Sequence, residues 1–396
     1  MPNQSKADDR FVLLYALAWA GGTIAYVPLL TILLPVQVEA LAGPLQRVDW
    51  LAYVALAGAL AASAGGILFG YLSDVTRNRR GWIVGGLALS SGMLLLIGRA
   101  GSLFELILAI VCWQLALNMM LGPLAAWAGD VVPDRRKGLL GGLMAFAPGL
   151  GALAGAIVTQ PGLAQAEIRL GLVAALVVVC LLPVLLLGPS VGNTVGGSAS
   201  PAEPANYSTA DKKGTMSRMW LARLAVQVAE ATLFAFLYFW LLEVDPNMTD
   251  NQTARLLSAV MLVSAPLALA VGRWSDRTDR PIAPLQACAL ASALGLLAMA
   301  LASDFVGAIL AYGLFGLSSA VFLALHSAQT LRILPRPDRR GRDLGLFNLS
   351  NTVPSLVMPW LAIALVPLFG FPVLFVLLAL LALASGFLLR SLAHLR

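Results

Sequence analysis

Charged residues are scarce in this chain. Asp, Glu, Lys and Arg make up 12% of its 396 residues and hydrophobic residues 59%, whereas about a quarter of the residues in soluble domains are charged. This composition excludes a soluble globular protein. The apolar runs reach about twenty residues and do not alternate with polar ones, so they predict transmembrane helices rather than a β-barrel.

Cysteine and histidine are also scarce. The three cysteines, Cys112, Cys180 and Cys288, lie inside apolar runs without the spacing of a metal site. No phosphate-binding glycine loop follows a strand, so we expect no enzyme, no ATP-driven pump and no cofactor. The net charge of +6 comes from arginines scattered through short turns, and this pattern predicts membrane topology rather than a nucleic-acid partner.

Twelve apolar stretches are long enough to cross a hydrocarbon core about 30 Å thick. The polar segment Gly188–Gly214 is rich in Gly, Ser and Pro and cannot form a core of its own. We therefore expect an all-α membrane protein of two six-helix bundles, residues 1–187 and 218–396, joined by a linker at 188–217. The predicted spans are 11–35, 51–73, 82–100, 103–128, 139–160, 168–187, 218–243, 253–274, 282–302, 305–331, 344–366 and 371–390.

Lysine and arginine predict the orientation. With both termini cytoplasmic, 22 of the 26 basic residues fall on the cytoplasmic side, and the outer side holds Arg47, Arg99, Arg169 and Arg255. The first ten residues lack the short apolar core of a signal peptide, so we expect the first helix to be retained. The sequence thus predicts a monomeric, multi-pass protein of the cytoplasmic (inner) membrane lipid bilayer, with both termini cytoplasmic.

Two short motifs occur twice. The stretch from Gly70 to Arg80 has glycine, three residues, an acid and then arginines, and the stretch from Gly272 repeats this order 202 residues later. The order Pro-Asp-Arg-Arg occurs at 133–136 and again 204 residues later, at 337–340. Such offsets indicate an internal repeat of half the chain, which in transporters places the substrate site between the halves near the midplane.

The repeated turn resembles the signature turn of the major facilitator superfamily (MFS), which lies between the second and third helices with a weaker copy after the eighth. Val75 and Arg77 stand where the family usually has a basic residue and a glycine. The Ser-Asp-x-Thr form is similar to that of the sugar–cation symporter branches. The resemblance implies the MFS fold and transport by alternating access.

The resemblance also implies that charged groups in these turns hold the cytoplasmic side shut. Asp74 would be met by Arg77 or Arg80 locally, or by arginines near the eleventh helix, and Asp276 would act toward the fifth helix. The alternative is that these charges only set the membrane topology and form no latch. The candidate gating residues are Asp74, Arg77, Arg80, Asp276, Arg277, Arg135, Arg136, Arg339 and Arg340.

Glu230 is the acid predicted to lie deepest in any span. It follows Arg218 by twelve residues, so it lies about 18 Å along the seventh span, close to the membrane midplane. Intramembrane acids are costly and usually face a cavity, which suits a group that binds and releases a proton. The alternatives are a protonated structural carboxyl and an acceptor for sugar hydroxyls. His326 is a second candidate for proton coupling, with an interhelical hydrogen bond as its alternative.

Other polar and aromatic residues share helical faces within the spans. They suit stacking on a ring or reading hydroxyls, although packing or bonds to a neighbouring helix explain many of them equally well. No acid lies inside the second or fourth span, so no sodium site of the kind found in the resembled symporters is expected. The candidate substrate-binding residues are Trp19, Tyr26, Gln114, Asn118, Gln227, Glu230, Phe234, Tyr238, Phe322, Asn348 and Asn351.

The sequence therefore favours a secondary transporter that imports a small polar solute, such as a sugar or glycoside, together with protons. One alternative is a proton-driven exporter of drugs or lipids. Another is a non-transporting membrane assembly factor with the same fold.

Overall fold

The computed structural model describes residues 2–189, 209–278, 280–333 and 340–391, with side chains for most of them. These residues are almost entirely helical, and no strand occurs among them. A π-helical turn, Leu29–Leu33, joins the first two helices. The helices are α1 (Pro2–Pro28), α2 (Leu34–Thr76), α3 (Arg79–Ile97), α4 (Leu103–Val131), α5 (Asp134–Met144), α6 (Ala147–Val158), α7 (Ala166–Leu187), α8 (Thr209–Val244), α9 (Asp250–Thr278), α10 (Ala283–Leu301), α11 (Phe305–Ile333) and α12 (Arg340–Arg390).

Ten helical stretches of the described chain are long and apolar enough to cross a membrane, against the twelve that the sequence predicts. Two of the ten are much longer than one crossing requires, with 68 residues at Asp9–Thr76 and 39 at Thr352–Arg390. Each contains a glycine with left-handed φ, Gly43 at φ 69° and Gly370 at φ 74°, where the helical path breaks. L-residues with a side chain rarely adopt this φ, and Pro44 further disfavours a helical conformation at Gly43.

Local sequence signals explain the turn between α2 and α3. Arg77 has left-handed geometry, with φ 50° and ψ 23°, and ends α2. The Asn78 side chain then accepts a hydrogen bond from the backbone N–H of Gly81 at 3.0 Å and caps α3. The turn is therefore very short, and it brings Asp74 close to the first residues of α3.

The chain forms two compact units. The first contains residues 1–199 together with Thr249–Ala259, and the second contains Ser200–Met248 and Val260–Arg396. Helix α9 is thus shared, since its first ten residues pack with the first unit. The bundle boundaries at 187 and 218 stay predictions, because residues 190–208 lie outside the described part of the chain.

Each unit has its own apolar core. In the first, α2 and α3 pack on α4, and α1 packs on α6 and α7. The side chains of Tyr15, Trp113 and Trp127 are fully buried there. In the second, α8 packs on α12, and α10 packs on α11 and α12. A cluster around Phe322 and Leu285 fills that core.

Both units use a glycine to bring two helices into backbone contact. A methyl group placed at Gly86 of α3 would lie 2.5 Å from the backbone nitrogen of Met120 in α4. One placed at Gly295 of α10 would lie 2.6 Å from the backbone nitrogen of Phe315 in α11. These helices can approach so closely because neither glycine carries a Cβ.

Candidate functional site

The carboxyl of Glu230 lies on α8 beside a second polar side chain. The amide nitrogen Nε2 of Gln227, one turn earlier, donates to Glu230 Oε2 at 3.3 Å. The Glu230 side chain also interacts electrostatically with Arg223 on α8 and with Tyr312 on α11. We call Arg223, Gln227, Glu230 and Tyr312 the α8 carboxyl site.

Arg223 holds in place the end of this site that lies nearer the start of α8. Its guanidinium Nη1 donates to the backbone carbonyl of Leu323 at 3.2 Å and to the Ser327 hydroxyl at 2.9 Å, both on α11. These two bonds fix α8 against α11. They also keep a positive charge within the same span as the Glu230 carboxyl, two helical turns away.

Tyr312 is the member of this site that sequence reasoning missed. It lies near the middle of α11, and 4% of its surface is exposed. The signal that could have found it is a tyrosine deep in an apolar span, since a buried phenol usually finds a polar partner. Nothing in the sequence, however, indicates that it meets Glu230.

His326 is fully buried in the core of the second unit. Its Nε2–H donates to the backbone carbonyl of Met219 at 2.9 Å, and its ring packs against Phe322 with centroids 5.6 Å apart. The carbonyl partner requires the proton to be on Nε2, because a carbonyl oxygen can only accept. The structure therefore places His326 in an interhelical contact between α11 and α8, and its role as a proton relay stays a prediction.

The aromatic stripe of α1 is partly a packing feature. The Tyr15 hydroxyl donates to the backbone carbonyl of Leu124 at 2.9 Å, and no part of its side chain is exposed. Trp19 stacks on Tyr15 with ring centroids 6.3 Å apart and remains partly exposed. Tyr26, two turns further along, is also partly exposed. Trp19 and Tyr26 thus keep exposed surface, whereas Tyr15 does not, and their role in substrate binding stays a prediction.

Gln114 and Asn118 of α4 face the glycines of α2. A methyl group at Gly58 would lie 3.7 Å from Gln114 Cγ, and one at Gly65 would lie 3.2 Å from Asn118 Cβ. The Asn118 amide donates to the backbone carbonyl of Gln114 at 2.9 Å, within its own helix. These two polar side chains lie at a helix–helix contact of the first unit.

The remaining candidate substrate residues lie in the second unit. Phe234 is partly exposed, whereas Tyr238 and Phe322 are buried. The side chains of Asn348 and Asn351 lie outside the part of the chain whose side chains are described.

In the turn predicted to act as a gate, Asp74 pairs with an arginine that the sequence does not single out. Arg79 Nη1 lies 2.9 Å from Asp74 Oδ1, and Arg79 Nε lies 2.5 Å from Asp130 Oδ2 at the end of α4. Only 13% of the Arg79 side chain is exposed, against 64% for Asp74. Arg77 and Arg80, the local partners expected for Asp74, have other surroundings. Arg77 is exposed, and Arg80 bonds the Gly188 carbonyl and covers the face of the buried indole of Trp127.

The other predicted gating residues are described only in part. Arg136 Nη2 forms an ion pair with Asp9 Oδ1 at 2.7 Å, within the first unit. Asp276 and Arg277 are exposed at the end of α9. The side chains of Arg135, Arg339 and Arg340 lie outside the described ones, and their gating roles stay predictions.

A second set of polar contacts lies at the first turns of α9, inside the first unit. Arg169 of α7 forms an ion pair with Asp250. The Asn251 amide donates to the Ala156 carbonyl at 2.7 Å and to the Thr159 hydroxyl at 3.1 Å. The Arg255 guanidinium also donates to Gln160 Oε1 at 2.6 Å. We call these contacts together the outer α9 contacts.

Sequence reasoning missed the outer α9 contacts. The available signal is that Arg169 and Arg255 belong to the four basic residues predicted on the outer side. Lysine and arginine are normally concentrated on the cytoplasmic side, so a basic residue on the outer side indicates that it has a structural partner there. Asn251 also supplies a donor to a carbonyl near the end of α6, where the helix itself provides none.

Comparison with known proteins agrees with this architecture. Residues 219–395 match the family model described as Major Facilitator Superfamily. No curated protein matches the chain in sequence.

Several solved structures share the fold over nearly the whole chain. One is a bacterial homologue of the human lysosomal transporter Spinster, inward-facing and unoccupied, with 16% identity, 99% of this chain and 96% of that chain covered, and a TM-score of 0.66. Another is the nucleoside transporter NupG, with 12% identity and a TM-score of 0.73. The match covers 96% of this chain and 99% of that chain. A third is a POT family transporter in complex with 5-aminolevulinic acid, with 13% identity, coverage of 97% and 96%, and a TM-score of 0.75. At these identities the likeness shows the fold.

Proposed function

We propose that this chain, a member of the major facilitator superfamily, is a secondary active transporter that imports a small polar solute together with protons. The observation that carries the proposal is the α8 carboxyl site. It places an ionisable carboxyl inside a membrane span, beside an amide and a buried tyrosine. Polar groups at that depth are costly, and they mark solute or proton pathways more often than they stabilise a fold.

We propose twelve membrane crossings, in two halves of six. A helix rises 1.5 Å per residue, so a 68-residue stretch extends to about 100 Å, whereas one crossing needs about 30 Å. The breaks at Gly43 and Gly370 each divide a long stretch into two crossings. Ten stretches with two divided then correspond to twelve, with both termini on the cytoplasmic side of an inner membrane.

Coupling is assigned to Glu230. When its carboxyl is ionised, a charge lies inside the bilayer, and the carboxylate offers only acceptors to a solute. When the carboxyl is protonated, the site is neutral and gains a donor, so an acceptor on the solute can bind together with the proton. The proton and the solute therefore move in a linked cycle, and a gradient of one drives the other.

Two sets of contacts serve as gates in this proposal. On the cytoplasmic side, the turn that carries Asp74 and Arg79 is held to Asp130 of α4. On the outer side, the outer α9 contacts hold the start of α9 to α6 and α7. Each set must loosen at a different stage of the cycle for the solute site to become accessible from that side.

The solute class is a small polar molecule, with a sugar or glycoside as the first choice. The similar structures include a nucleoside transporter and a transporter with bound 5-aminolevulinic acid, so the test library should be wide. Sugars, nucleosides, dipeptides and 5-aminolevulinic acid cover these possibilities. An exporter of apolar drugs would fail to exchange any of them.

The test uses purified protein in proteoliposomes. Counterflow exchange reports solute movement without a gradient, and uptake under an imposed pH gradient reports concentration. We expect Glu230→Gln to exchange solute but to lose concentrative uptake, because a glutamine cannot take up and release a proton. Glu167→Gln, an exposed carboxyl on α7, is the matched control and should concentrate solute like the wild type. Wild-type accumulation by Glu230→Gln would refute the coupling role.

A further inference from the structure

Gln227 carries an unusual feature for a buried side chain. Its Nε2 donates to Glu230, but its Oε1 is buried and has no hydrogen-bond partner among the described residues. A buried acceptor left without a partner destabilises a fold, because it has lost its hydrogen bonds to water. The absence of a partner for this atom in the described part of the chain therefore needs a physical explanation.

The orientation of the amide follows from the charge of its neighbour. An ionised carboxylate can only accept hydrogen bonds, so Gln227 must turn its Nε2 toward Glu230 and its Oε1 away. The opposite orientation would bring two acceptors face to face. The observed arrangement therefore fits the ionised state of Glu230 and leaves an acceptor pointing elsewhere.

Protonation of Glu230 reverses this preference. The protonated carboxyl has an O–H donor, which can satisfy the orphaned Oε1 once the amide turns by about 180°. The terminal torsion of glutamine has a broad, roughly two-fold profile, so this turn meets no high barrier. Nε2 then takes the place that Oε1 occupied, and the group on the side of the amide away from Glu230 changes from acceptor to donor.

We propose that the Gln227 amide reorients with the charge of Glu230 and converts proton binding into a change of hydrogen-bonding preference for the solute. The proposal rests on the proposed function of Glu230 as the proton carrier. The ionised site presents an acceptor, and the protonated site presents a donor. A solute that offers an acceptor at this position, such as an ether, carbonyl or hydroxyl oxygen, binds together with the proton.

The other charged and titratable groups near Glu230 have contacts of their own. Arg223, one turn before Gln227, donates to the Leu323 carbonyl and the Ser327 hydroxyl on α11. From α11, Tyr312 interacts electrostatically with Glu230, while the ring of His326 donates to the Met219 carbonyl. Among the described groups, the direct hydrogen bond to the Glu230 carboxyl comes from Gln227.

The test needs no solute and uses the full-length protein in detergent. Infrared difference spectra between acid and alkaline pH report both the carboxyl of Glu230 and amide carbonyls. We expect acidification to produce the protonated-carboxyl band and, with the same midpoint, a shift of one glutamine C=O band to lower wavenumber. Gln227→Met should lose the amide shift and keep the carboxyl band, and Glu230→Gln should lose both.

Two results would overturn the proposal. One is an amide shift that persists in Gln227→Met, and the other is a wild-type carboxyl band that titrates with no amide shift. Gln227→Asn, whose shorter side chain should not reach Glu230, repeats the test if the methionine variant does not fold. If Glu230→Gln still concentrates solute in proteoliposomes, the proposed function fails. If it does not, and Gln227→Met keeps the amide shift, only the present inference fails.

Discussion

Replacement of Gly86 by alanine tests the close approach of α3 and α4. The added methyl group would lie 2.5 Å from the backbone nitrogen of Met120 and 2.9 Å from the backbone carbonyl carbon of Met119. Apolar contacts normally lie at about 4 Å. The obstacle is helix backbone rather than the end of a flexible side chain, so α4 itself has to move by about 1.5 Å to restore a normal contact.

The magnitude follows from two opposing terms. Overpacking in a well-packed interior destabilises by about 1–3 kcal/mol, and a contact with backbone at 2.5 Å belongs near the upper end. Alanine in a helix interior is favoured over glycine by up to ~1 kcal/mol. We therefore expect Gly86→Ala to lower the free energy of unfolding by about 2 kcal/mol.

The chain offers a matched control on the same helix. Gly92 of α3 is exposed, and a methyl group there would meet no atom within 4 Å. Gly92→Ala should be neutral or stabilise by up to ~1 kcal/mol, because only the helix-propensity term remains. Gly295→Ala, whose methyl group would lie 2.6 Å from the backbone nitrogen of Phe315, should behave like Gly86→Ala in the other unit.

The assay is reversible denaturant unfolding in detergent micelles, followed by tryptophan fluorescence. Trp113 and Trp127 are fully buried in the unit that contains Gly86. Equal unfolding free energies for Gly86→Ala and Gly92→Ala would refute the steric argument. They would show that α4 can retreat without cost.

Two further predictions concern the proposed gates. Asp130→Asn should lower the free energy of unfolding by about 1–2 kcal/mol, and Asp74→Asn by less than about 1 kcal/mol, because Asp74 is the more exposed partner of Arg79; equal losses in the same unfolding assay would contradict this order. A disulfide between Thr159→Cys and Asn251→Cys, in a background without native cysteines, should arrest counterflow until it is reduced, because it holds the start of α9 to the end of α6. Unchanged counterflow by the oxidised pair would show that this contact does not open during transport, and each single cysteine variant serves as the control.

Several features of the fold could be predicted from the sequence because they depend on short stretches of chain. The length of an apolar run determines whether it can cross a bilayer. The helical content and the membrane class follow from this alone. The approximate depth of Glu230 in its span follows from a fixed rise per residue. The breaks at Gly43 and Gly370 fall in the predicted turns, where glycine and proline interrupt the apolar pattern.

The partners of the polar residues could not be predicted in this way. Asp74 was expected to meet Arg77 or Arg80, but it pairs with Arg79. All three arginines lie within six residues of the acid, so spacing does not decide between them. The choice depends on the left-handed backbone of Arg77, the cap at Asn78, and Asp130, which lies 51 residues away from Arg79.

The sequence alone determined that this protein is a helical membrane protein with an internal repeat and a carboxyl inside one span, because hydrophobic run length and residue spacing are properties of the linear chain. The tertiary structure decided that Tyr312 of α11 comes within electrostatic range of Glu230 and that the start of α9 packs with the first unit. It also decided that Gln227 keeps one buried atom without a partner among the described residues. These facts depend on the rotation of each helix about its axis and on neighbours tens of residues away, and a one-dimensional pattern contains neither.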